Sequence, residues 1–236
     1  MATIPDNIQQ VRQRIAAACH RANRRLDDVK LMCVGKTRSA GDLRRAVAAG
    51  EHCLGENYVQ EGLTKITELA DLRQQIEWHL IGPLQANKTR AVAEAFDWVD
   101  SVDRLKIAQR LSEQRPPGLP ALQLCLQVNI SGEASKSGLL PHEVAAVAQA
   151  VAALPRVRLR GLMAIPAPAT GFEAQREPHR ALRELLASVR ESCQSIGADF
   201  DTLSMGMSDD LDAAIAEGAT TLRIGTAVFG ARAALV

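Results

Sequence analysis

Short apolar runs typical of β-strands alternate with amphipathic helical segments eight times along the 236 residues of this chain. Strands joined by helices in this way form a parallel sheet with right-handed crossovers. Eight such units in a chain of this length favour a closed barrel over an open, doubly wound sheet. The predicted strands are Val29–Val34, His52–Leu54, Glu77–Ile81, Trp98–Ser101, Leu122–Asn129, Val157–Met163, Thr202–Ser204 and Thr221–Ile224.

Helices are predicted between the strands, and one more helix precedes the first strand. Ser208, followed by two aspartates, is typical of a helix start, with a hydroxyl cap and acids placed against the helix dipole. The predicted helices are Ile8–Arg25, Ala40–Ala49, Val59–Leu72, Asn87–Ala95, Arg104–Glu113, Pro141–Ala153, Glu173–Ser195 and Asp209–Glu217. We therefore predict a single α/β domain over residues 1–236, a (β/α)8 barrel of the TIM type.

The composition argues against several classes of function. With 28 basic and 27 acidic residues the formal net charge is +1, so the chain lacks the charge excess of a nucleic-acid-binding protein. It shows no apolar segment long enough to span a bilayer and no apolar signal core. Its five cysteines show no Cys-x-x-Cys spacing, which favours reduced, buried thiols. We expect a cytoplasmic protein that binds neither nucleic acid nor membrane.

A lysine stands at the end of the first predicted strand, in Val34-Gly35-Lys36-Thr37. The carboxyl ends of barrel strands line the active-site mouth, where a partly desolvated lysine amine has a lowered pKa and attacks aldehydes. A solvated loop lysine is the alternative interpretation. Binding of ATP by a phosphate loop is excluded, because that motif requires a glycine where Lys30 stands.

Two turns of small residues follow the seventh and eighth predicted strands. They are Ser204-Met205-Gly206-Met207-Ser208 and Arg223-Ile224-Gly225-Thr226. Backbone N–H groups and hydroxyls in such turns bind phosphate, and barrels often hold a phosphate between these two loops. A simple capped turn is the alternative for the first segment alone. A lysine that forms an imine and faces a phosphate cradle is what pyridoxal 5'-phosphate (PLP) requires.

Three further polar residues stand at predicted strand ends. Arg223 carries a guanidinium that retains its proton, so beside the pyridine nitrogen of PLP it would leave that nitrogen unprotonated. Such a cofactor is a weaker electron sink than one paired with a carboxylate. Asn57 and His79, near the ends of the second and third strands, are predicted to wall the cofactor site. The alternatives are an arginine that reaches solvent at a strand end and a histidine with a structural role.

Eight motifs occur in order along nearly the whole chain: Val34–Thr37, Gly55–Tyr58, His79–Lys88, Val128–Ile130, Glu133–Gly138, Gly161–Met163, Leu203–Asp210 and Arg223–Arg232. Together they resemble the pyridoxal phosphate homeostasis protein family, small PLP-binding proteins akin to the N-terminal barrel of bacterial alanine racemase. Relatives usually carry serine where Gly35 stands. We expect this difference to alter the freedom of the loop around the lysine without abolishing the imine.

The resemblance implies a PLP barrel of fold type III that carries and buffers PLP and takes part in amino-acid and keto-acid balance. It implies a Schiff base on Lys36 and places Arg223 opposite the pyridine nitrogen. No catalytic residue and no metal are implied. The partners expected are PLP and the PLP-dependent apoenzymes that receive it, and the protein is expected to be a monomer. The implied phosphate ligands are Ser204, Ser208, Gly225 and Thr226, and the other cofactor contacts are Asn57, His79, Gly206 and Met207.

A PLP-dependent amino-acid racemase and a barrel without a cofactor are the alternative functions. Racemisation by two bases needs an acid–base group on each face of the cofactor. In alanine racemase a tyrosine from a further β domain supplies the second group. The only tyrosine in this chain is Tyr58, and the sequence offers no evident substitute. The carrier function is therefore favoured over the racemase.

Overall fold

The computed structural model describes residues 2–133, 136–193 and 196–230. Ser195, the predicted end of one helix, lies outside these ranges. Ala134, Ser135, Ala231 and Arg232, which belong to two of the motifs quoted above, also lie outside them.

Within the described residues, eight parallel strands close into a barrel in which β8 pairs with β1. Every other strand pairs with its neighbours in the sequence. The predicted (β/α)8 fold is therefore confirmed. The strands are β1 Lys30–Val34, β2 Cys53–Glu56, β3 Glu77–Leu80, β4 Trp98–Val102, β5 Leu122–Val128, β6 Val157–Ala164, β7 Thr202–Ser204 and β8 Thr221–Ile224.

Helices cover the outside of the barrel, and their apolar faces pack on the outward side chains of the strands. This layer forms the main apolar core. The helices of the described chain are α1 Ile4–Arg21, α2 Ala40–Ala48, α3 Val59–Glu68, α4 Thr89–Ala95, α5 Leu105–Gln114, α6 Val144–Ala152, α7 Phe172–Ser192, α8 Leu211–Ala216 and α9 Thr226–Phe229. Across these ranges no helix has the length and apolar character needed to cross a membrane.

The first helix starts four residues before the predicted position. Thr3 and Asp6 form a capping box, in which each side chain accepts the backbone N–H of the other residue, at 3.3 and 2.9 Å. The helix ends before Asn23, whose φ of 52° lies in the left-handed region. The prediction rested on apolar periodicity, which begins only at the buried Ile8.

The hydroxyl cap predicted at Ser208 is wrong. Helix α8 begins at Leu211, and Asp210 occupies the cap position. The Asp210 carboxylate closes the preceding turn instead, because its Oδ1 accepts the N–H of Met207 at 2.6 Å. Serine and aspartate both favour helix starts, so the local sequence does not distinguish between them.

The barrel interior contains both apolar and polar side chains. Leu31 and Cys33 belong to the outer core, whereas the residues that alternate with them on β1 face inward. Two small apolar clusters lie on inward-facing positions: Met32, Val34, Cys53 and Ile81 form one, and Trp98, Cys125 and Met163 form the other. Buried charged and polar groups occupy much of the remaining interior.

Candidate cofactor-binding site at the barrel mouth

Lys36 lies at the mouth of the barrel, two residues after the end of β1, and is half-buried. Lys30 and Lys65 are paired with carboxylates. Among the described residues, no carboxylate or carbonyl oxygen pairs with the Lys36 amine. Lys36 is therefore available to react with a ligand at the mouth.

The loop after β7 is held in one conformation by contacts on both of its sides. Gly206 has a φ of 93°, and a Cβ there would lie 2.5 Å from the Cβ of Ala214, so only glycine fits. Its carbonyl accepts the backbone N–H of Arg223 at 3.0 Å, which ties the loop to β8. From outside, Arg14 of α1 donates to the Ser208 carbonyl at 2.6 Å. Met207 is exposed at the surface of this loop.

The loop after β8 lies against the strand that carries Lys36. A Cβ at Gly225 would lie 3.4 Å from the carbonyl oxygen of Val34, the last residue of β1. Gly225 precedes the first turn of α9, and Thr226 is exposed. The hydroxyls of Thr226 and Ser208 have no hydrogen-bond partner among the described residues. The fold thus brings together Lys36 and the two loops that the sequence predicted as a phosphate cradle.

Arg223 and Ser204 are buried next to each other, just below the mouth. The guanidinium donates to the carbonyl of Ser204, to its hydroxyl at 3.0 Å, and to the carbonyl of Ala164 at 2.7 Å. Burial lowers the pKa of Arg223, while the carboxylates of Asp100 and Asp210 act in the opposite direction. The hydroxyl of Ser204 is thus engaged inside the barrel, in contrast to the free hydroxyls of the two loops.

His79 lies in the barrel interior and connects to Arg223 through a residue that the sequence did not single out. Its Nδ1 is 2.8 Å from Asp100 Oδ1, and Asp100 Oδ2 accepts the hydroxyl of Ser204 at 2.8 Å. Its Nε2 is 2.9 Å from Glu77 Oε1. Burial disfavours the charged ring, but Cys53 and Asp100 outweigh this effect, so the pKa of His79 is raised well above its usual value.

Together these contacts form a hydrogen-bonded chain of six side chains, called here the interior chain: Lys30, Glu77, His79, Asp100, Ser204 and Arg223. It runs from the amino ends of β1 and β3 to the carboxyl ends of β7 and β8. Asp100 lies in the middle of β4 and is 104 positions from Ser204 in the sequence. No local pattern could have linked the two residues.

Cys53, Glu77 and His79 present their potential metal-ligand atoms within 4.8 Å of one another. The Glu77 carboxylate is already paired with the ammonium of Lys30 at 2.6 Å and with the ring of His79. The neighbouring ammonium opposes a second cation electrostatically. This cluster therefore fits an ion-paired interior better than a metal centre.

A second part of the mouth contains buried polar atoms that lack partners. A cavity of about 190 Å³ lies among the loops that follow β2, β3, β5 and β6. Asn57 and Asn129 line it, and the side-chain oxygen of each is buried without a hydrogen-bond partner in the described structure. Such unpaired groups are rare inside proteins, and a bound ligand, ion or water can satisfy them.

The residues at the mouth fit an aldehyde that carries a phosphate group. Lys36 supplies a primary amine that pairs with no other residue of the described ranges. Within the same ranges, the loops after β7 and β8 supply two hydroxyls without a hydrogen-bond partner, and the side-chain oxygen of Asn57 is an acceptor without a donor. PLP combines an aldehyde, a phosphate and ring substituents that form hydrogen bonds, so its chemistry matches this set of groups.

Known proteins resemble this chain over nearly its whole length. Residues 7–233 match the family described as "Alanine racemase, N-terminal domain". The pyridoxal phosphate homeostasis protein of Pseudomonas aeruginosa is 58% identical over 232 residues, which cover 98% of this chain and 97% of that protein. The protein of the same name from Escherichia coli K12 is 50% identical over 233 residues, 98% of each chain.

Solved structures with the same fold include PipY from Synechococcus elongatus with PLP bound. It has a TM-score of 0.83 and 33% sequence identity, and the match covers 97% of this chain and all of that one. Alanine racemase from Corynebacterium glutamicum matches with a TM-score of 0.66 at 16% identity over 96% of this chain and 62% of the racemase, which shows the shared fold. The chain therefore belongs to the alanine racemase N-terminal domain family and, within it, to the pyridoxal phosphate homeostasis proteins.

Proposed function

We propose that this protein binds PLP as a Schiff base on Lys36 and carries and buffers it, and so takes part in PLP and amino-acid/keto-acid homeostasis. The observation that carries the proposal is the amine of Lys36, which has no partner in the part of the chain that the structure describes, beside the turn at Gly225 and the constrained loop at Gly206. Relatives at 58% and 50% identity that are named for PLP homeostasis support it. The PLP-bound structure of PipY supports it further.

Each part of the mouth has a distinct task in this proposal. PLP supplies an aldehyde that condenses with a primary amine with loss of water. Lys36 presents that amine at the mouth, where its nitrogen can attack the carbonyl carbon. Ser208 and Thr226 direct hydroxyls to the phosphate, together with backbone N–H groups near Gly206 and Gly225.

Arg223 supports a carrier over an enzyme. Its guanidinium is held by the carbonyls of Ser204 and Ala164, so it has one fixed position and a permanent positive charge. A group of this kind opposite the pyridine nitrogen does not donate a proton to it. Tyr58, the only tyrosine, is 57% exposed beside α3. A racemase, the alternative function, would need a second proton donor on the opposite face of the cofactor, and no described residue is placed for that role.

We further propose that residues 1–236 act as one PLP-binding unit, that the protein is a monomer, and that its partners are PLP-dependent apoenzymes. A cytoplasmic location is part of the same proposal. It is supported by the cysteines, because all five are free and buried thiols and free thiols persist in reducing compartments.

The Schiff base is tested by borohydride reduction of the protein loaded with PLP, followed by peptide mapping. We expect the pyridoxyl group on Lys36, loss of the imine absorbance in Lys36→Ala, and normal loading in Lys106→Ala, which removes an exposed lysine of α5. Label found mainly on another lysine would contradict the assignment.

The phosphate site is tested by Ser208→Ala and Thr226→Ala, measured as PLP affinity. Hydrogen bonds to charged groups contribute roughly 1.5–3 kcal/mol, so each variant should bind PLP about tenfold or more weakly. Ser192→Ala, which removes an exposed hydroxyl at the end of α7, is the matched control. Unchanged affinity in both test variants would place the phosphate elsewhere.

A further inference from the structure

Lys65 is a buried lysine on α3 whose ammonium group contacts three oxygen atoms close to Lys36. Its Nζ donates to the carbonyl of Gly35 at 2.6 Å, to Glu56 Oε1 at 2.8 Å and to Glu61 Oε1 at 2.6 Å. An ammonium has three N–H donors, so all of them are used. The side chains of Lys65 and Glu56 are 5% and 0% exposed.

Glu61 reaches the backbone on the other side of Lys36. The same Oε1 atom that contacts Lys65 accepts the backbone N–H of Thr37 at 2.6 Å. Thr37 has a φ of 64°, a left-handed conformation that is a true outlier for a β-branched residue. This conformation persists only where its surroundings impose it, and the hydrogen bond that the Thr37 N–H donates to Glu61 is such a restraint.

Glu56 lies against the same segment, beside Gly35. A Cβ at position 35 would lie 2.5 Å from Glu56 Oε1 and 3.0 Å from a methyl group of Leu43. Gly35 therefore allows the backbone to pass directly against a buried carboxylate. The Glu56–Lys65–Glu61 cluster thus contacts the two peptide groups that flank Lys36, through the carbonyl of Gly35 and the N–H of Thr37.

Stability alone explains this cluster poorly. Buried ion pairs are often no more stabilising than well-packed apolar side chains of similar size. The cluster also maintains an unfavourable backbone conformation at Thr37, which costs stability. A role in fixing the direction of Lys36 accounts for both features, since an amine that must meet an aldehyde gains rate from fixed orientation.

We propose that Lys65, Glu56 and Glu61 form a positioning cluster that locks the backbone on both sides of Lys36 and so aims its amine at the aldehyde of the ligand. The inference rests on the proposed PLP function and adds the residues that prepare Lys36 for it. In the condensation, Nζ of Lys36 bonds to the aldehyde carbon and the carbonyl oxygen leaves as water. The cluster takes no part in proton transfer and acts through the backbone.

The test compares Glu61→Ala with Glu61→Gln in the full chain. Glu61 is partly exposed, so both variants should fold, and glutamine keeps a side-chain oxygen that accepts the N–H of Thr37. The first measurement needs no ligand: amide hydrogen exchange at Thr37 should accelerate in Glu61→Ala and stay near the wild-type rate in Glu61→Gln. Glu68→Ala, which removes an exposed carboxylate from the same helix, is the control.

The second measurement separates positioning from general damage to the site. The rate of imine formation with PLP should fall about tenfold in Glu61→Ala, the scale set by releasing a strained backbone conformation. Affinity for pyridoxamine 5'-phosphate, which carries the phosphate but no aldehyde, should stay within about twofold. Folded Lys65→Met should likewise form the imine more slowly and keep its affinity for pyridoxamine 5'-phosphate.

Two results would overturn the positioning role. One is an unchanged rate of imine formation with PLP in Glu61→Ala. The other is a loss of affinity for pyridoxamine 5'-phosphate as large as the loss of rate with PLP. Failure of the wild-type protein to form a reducible adduct on Lys36 is a separate outcome, because it overturns the proposed function and the positioning role together. The Thr37 exchange data would then still report whether Glu61 restrains the backbone.

Discussion

Glu56 is a carboxyl group enclosed by the protein, and its ionisation is altered accordingly. Burial raises its pKa to about 7, even though the hydrogen bond and charge of Lys65 act in the opposite direction. Its Oε2 atom is buried without a hydrogen-bond partner among the described residues. Near neutral pH this residue therefore changes charge within the folded protein.

The raised pKa of Glu56 predicts how stability depends on pH. Between its ordinary value of 4.5 and about 7, the folded state binds a proton that the unfolded state has released, so the free energy of unfolding falls as pH rises. Relative to Glu56→Gln, the wild-type protein should lose about 2 kcal/mol of stability between pH 5 and pH 8. Denaturant unfolding of both proteins at the two pH values measures this difference.

The control for this measurement is Glu68→Gln, which changes an exposed carboxylate on α3 and should keep the pH dependence of the wild type. If the free energies of unfolding of Glu56→Gln and wild type differ by the same amount at both pH values, Glu56 does not titrate in this range.

At the scale of residues, strand-end positions were predictable and side-chain partners were not. Lys36, Gly206 and Gly225 follow apolar strand-like runs, and a barrel brings such positions to one mouth. His79 shares this sequence signal, yet its ring contacts Asp100 in the interior. The depth of an inward-facing side chain along the barrel axis depends on the stagger between neighbouring strands. The sequence of a single strand does not reveal that stagger.

At the scale of elements, helix α1 braces the loop that follows β7. Arg14 donates to the carbonyl of Ser208 at 2.6 Å and to the carboxylate of Asp212 at 2.8 and 2.6 Å. Arg21, about two helical turns further along α1, also pairs with Asp212 but forms no hydrogen bond with Ser208. The two arginines therefore differ mainly in their reach to the loop.

This difference makes Arg14 and Arg21 a matched pair for a test of the brace. Arg14→Ala should weaken PLP binding about two- to fivefold, because the loop loses a charged donor whose contribution is limited by its partial exposure. Arg21→Ala should leave PLP affinity unchanged while removing a comparable ion pair. Calorimetric titration of both variants with PLP provides the comparison, and equal effects would show that the brace does not support the site.

Apolar periodicity was enough to predict which segments are helices and which are strands. It did not predict where the helices begin and end, because that depends on local capping and turn contacts. The predicted helix Val59–Leu72 ends at Glu68 and continues as a short 3₁₀ segment, Ala70–Gln75. The predicted start at Pro141 is likewise a 3₁₀ turn, followed by α6 from Val144. Tight turns of this kind keep apolar side chains on one face, so a sequence pattern does not separate them from an α-helix.

At the scale of the whole molecule, the proposed carrier function predicts slow or absent turnover of amino acids. A carrier does not need the fixed substrate orientation and desolvation that supply much of the rate in enzymes. PLP-loaded protein incubated with L-alanine or L-serine in deuterium oxide should exchange α-protons far below about 1 per second, the lower end of ordinary enzyme turnover. Mixing with an apoenzyme should transfer PLP.

Turnover within the ordinary enzyme range, with a change in the ratio of enantiomers, would contradict the carrier function and favour a racemase. Lys36→Ala, loaded with PLP under the same conditions, is the control for exchange caused by free PLP in solution.

The closed barrel was predictable from the eightfold alternation, because short parallel strands with helical crossovers have few other ways to bury both faces. The interior chain was not predictable. Its members stand on five different strands, β1, β3, β4, β7 and β8, and buried charges become visible only when strand register brings their partners together.

The side chains at the centre of the interior chain depend on one another. Removing His79 or Ser204 leaves one oxygen of the buried Asp100 carboxylate without its partner, at a cost of about 1–3 kcal/mol. We therefore expect a substitution at either position to be stabilised by a compensating change at Asp100. Ser208 and Thr226, whose hydroxyls contact no described residue, are free of this linkage. A substitution at either mouth residue therefore leaves the interior contacts intact, whereas a substitution at the centre of the interior chain also disturbs its neighbours.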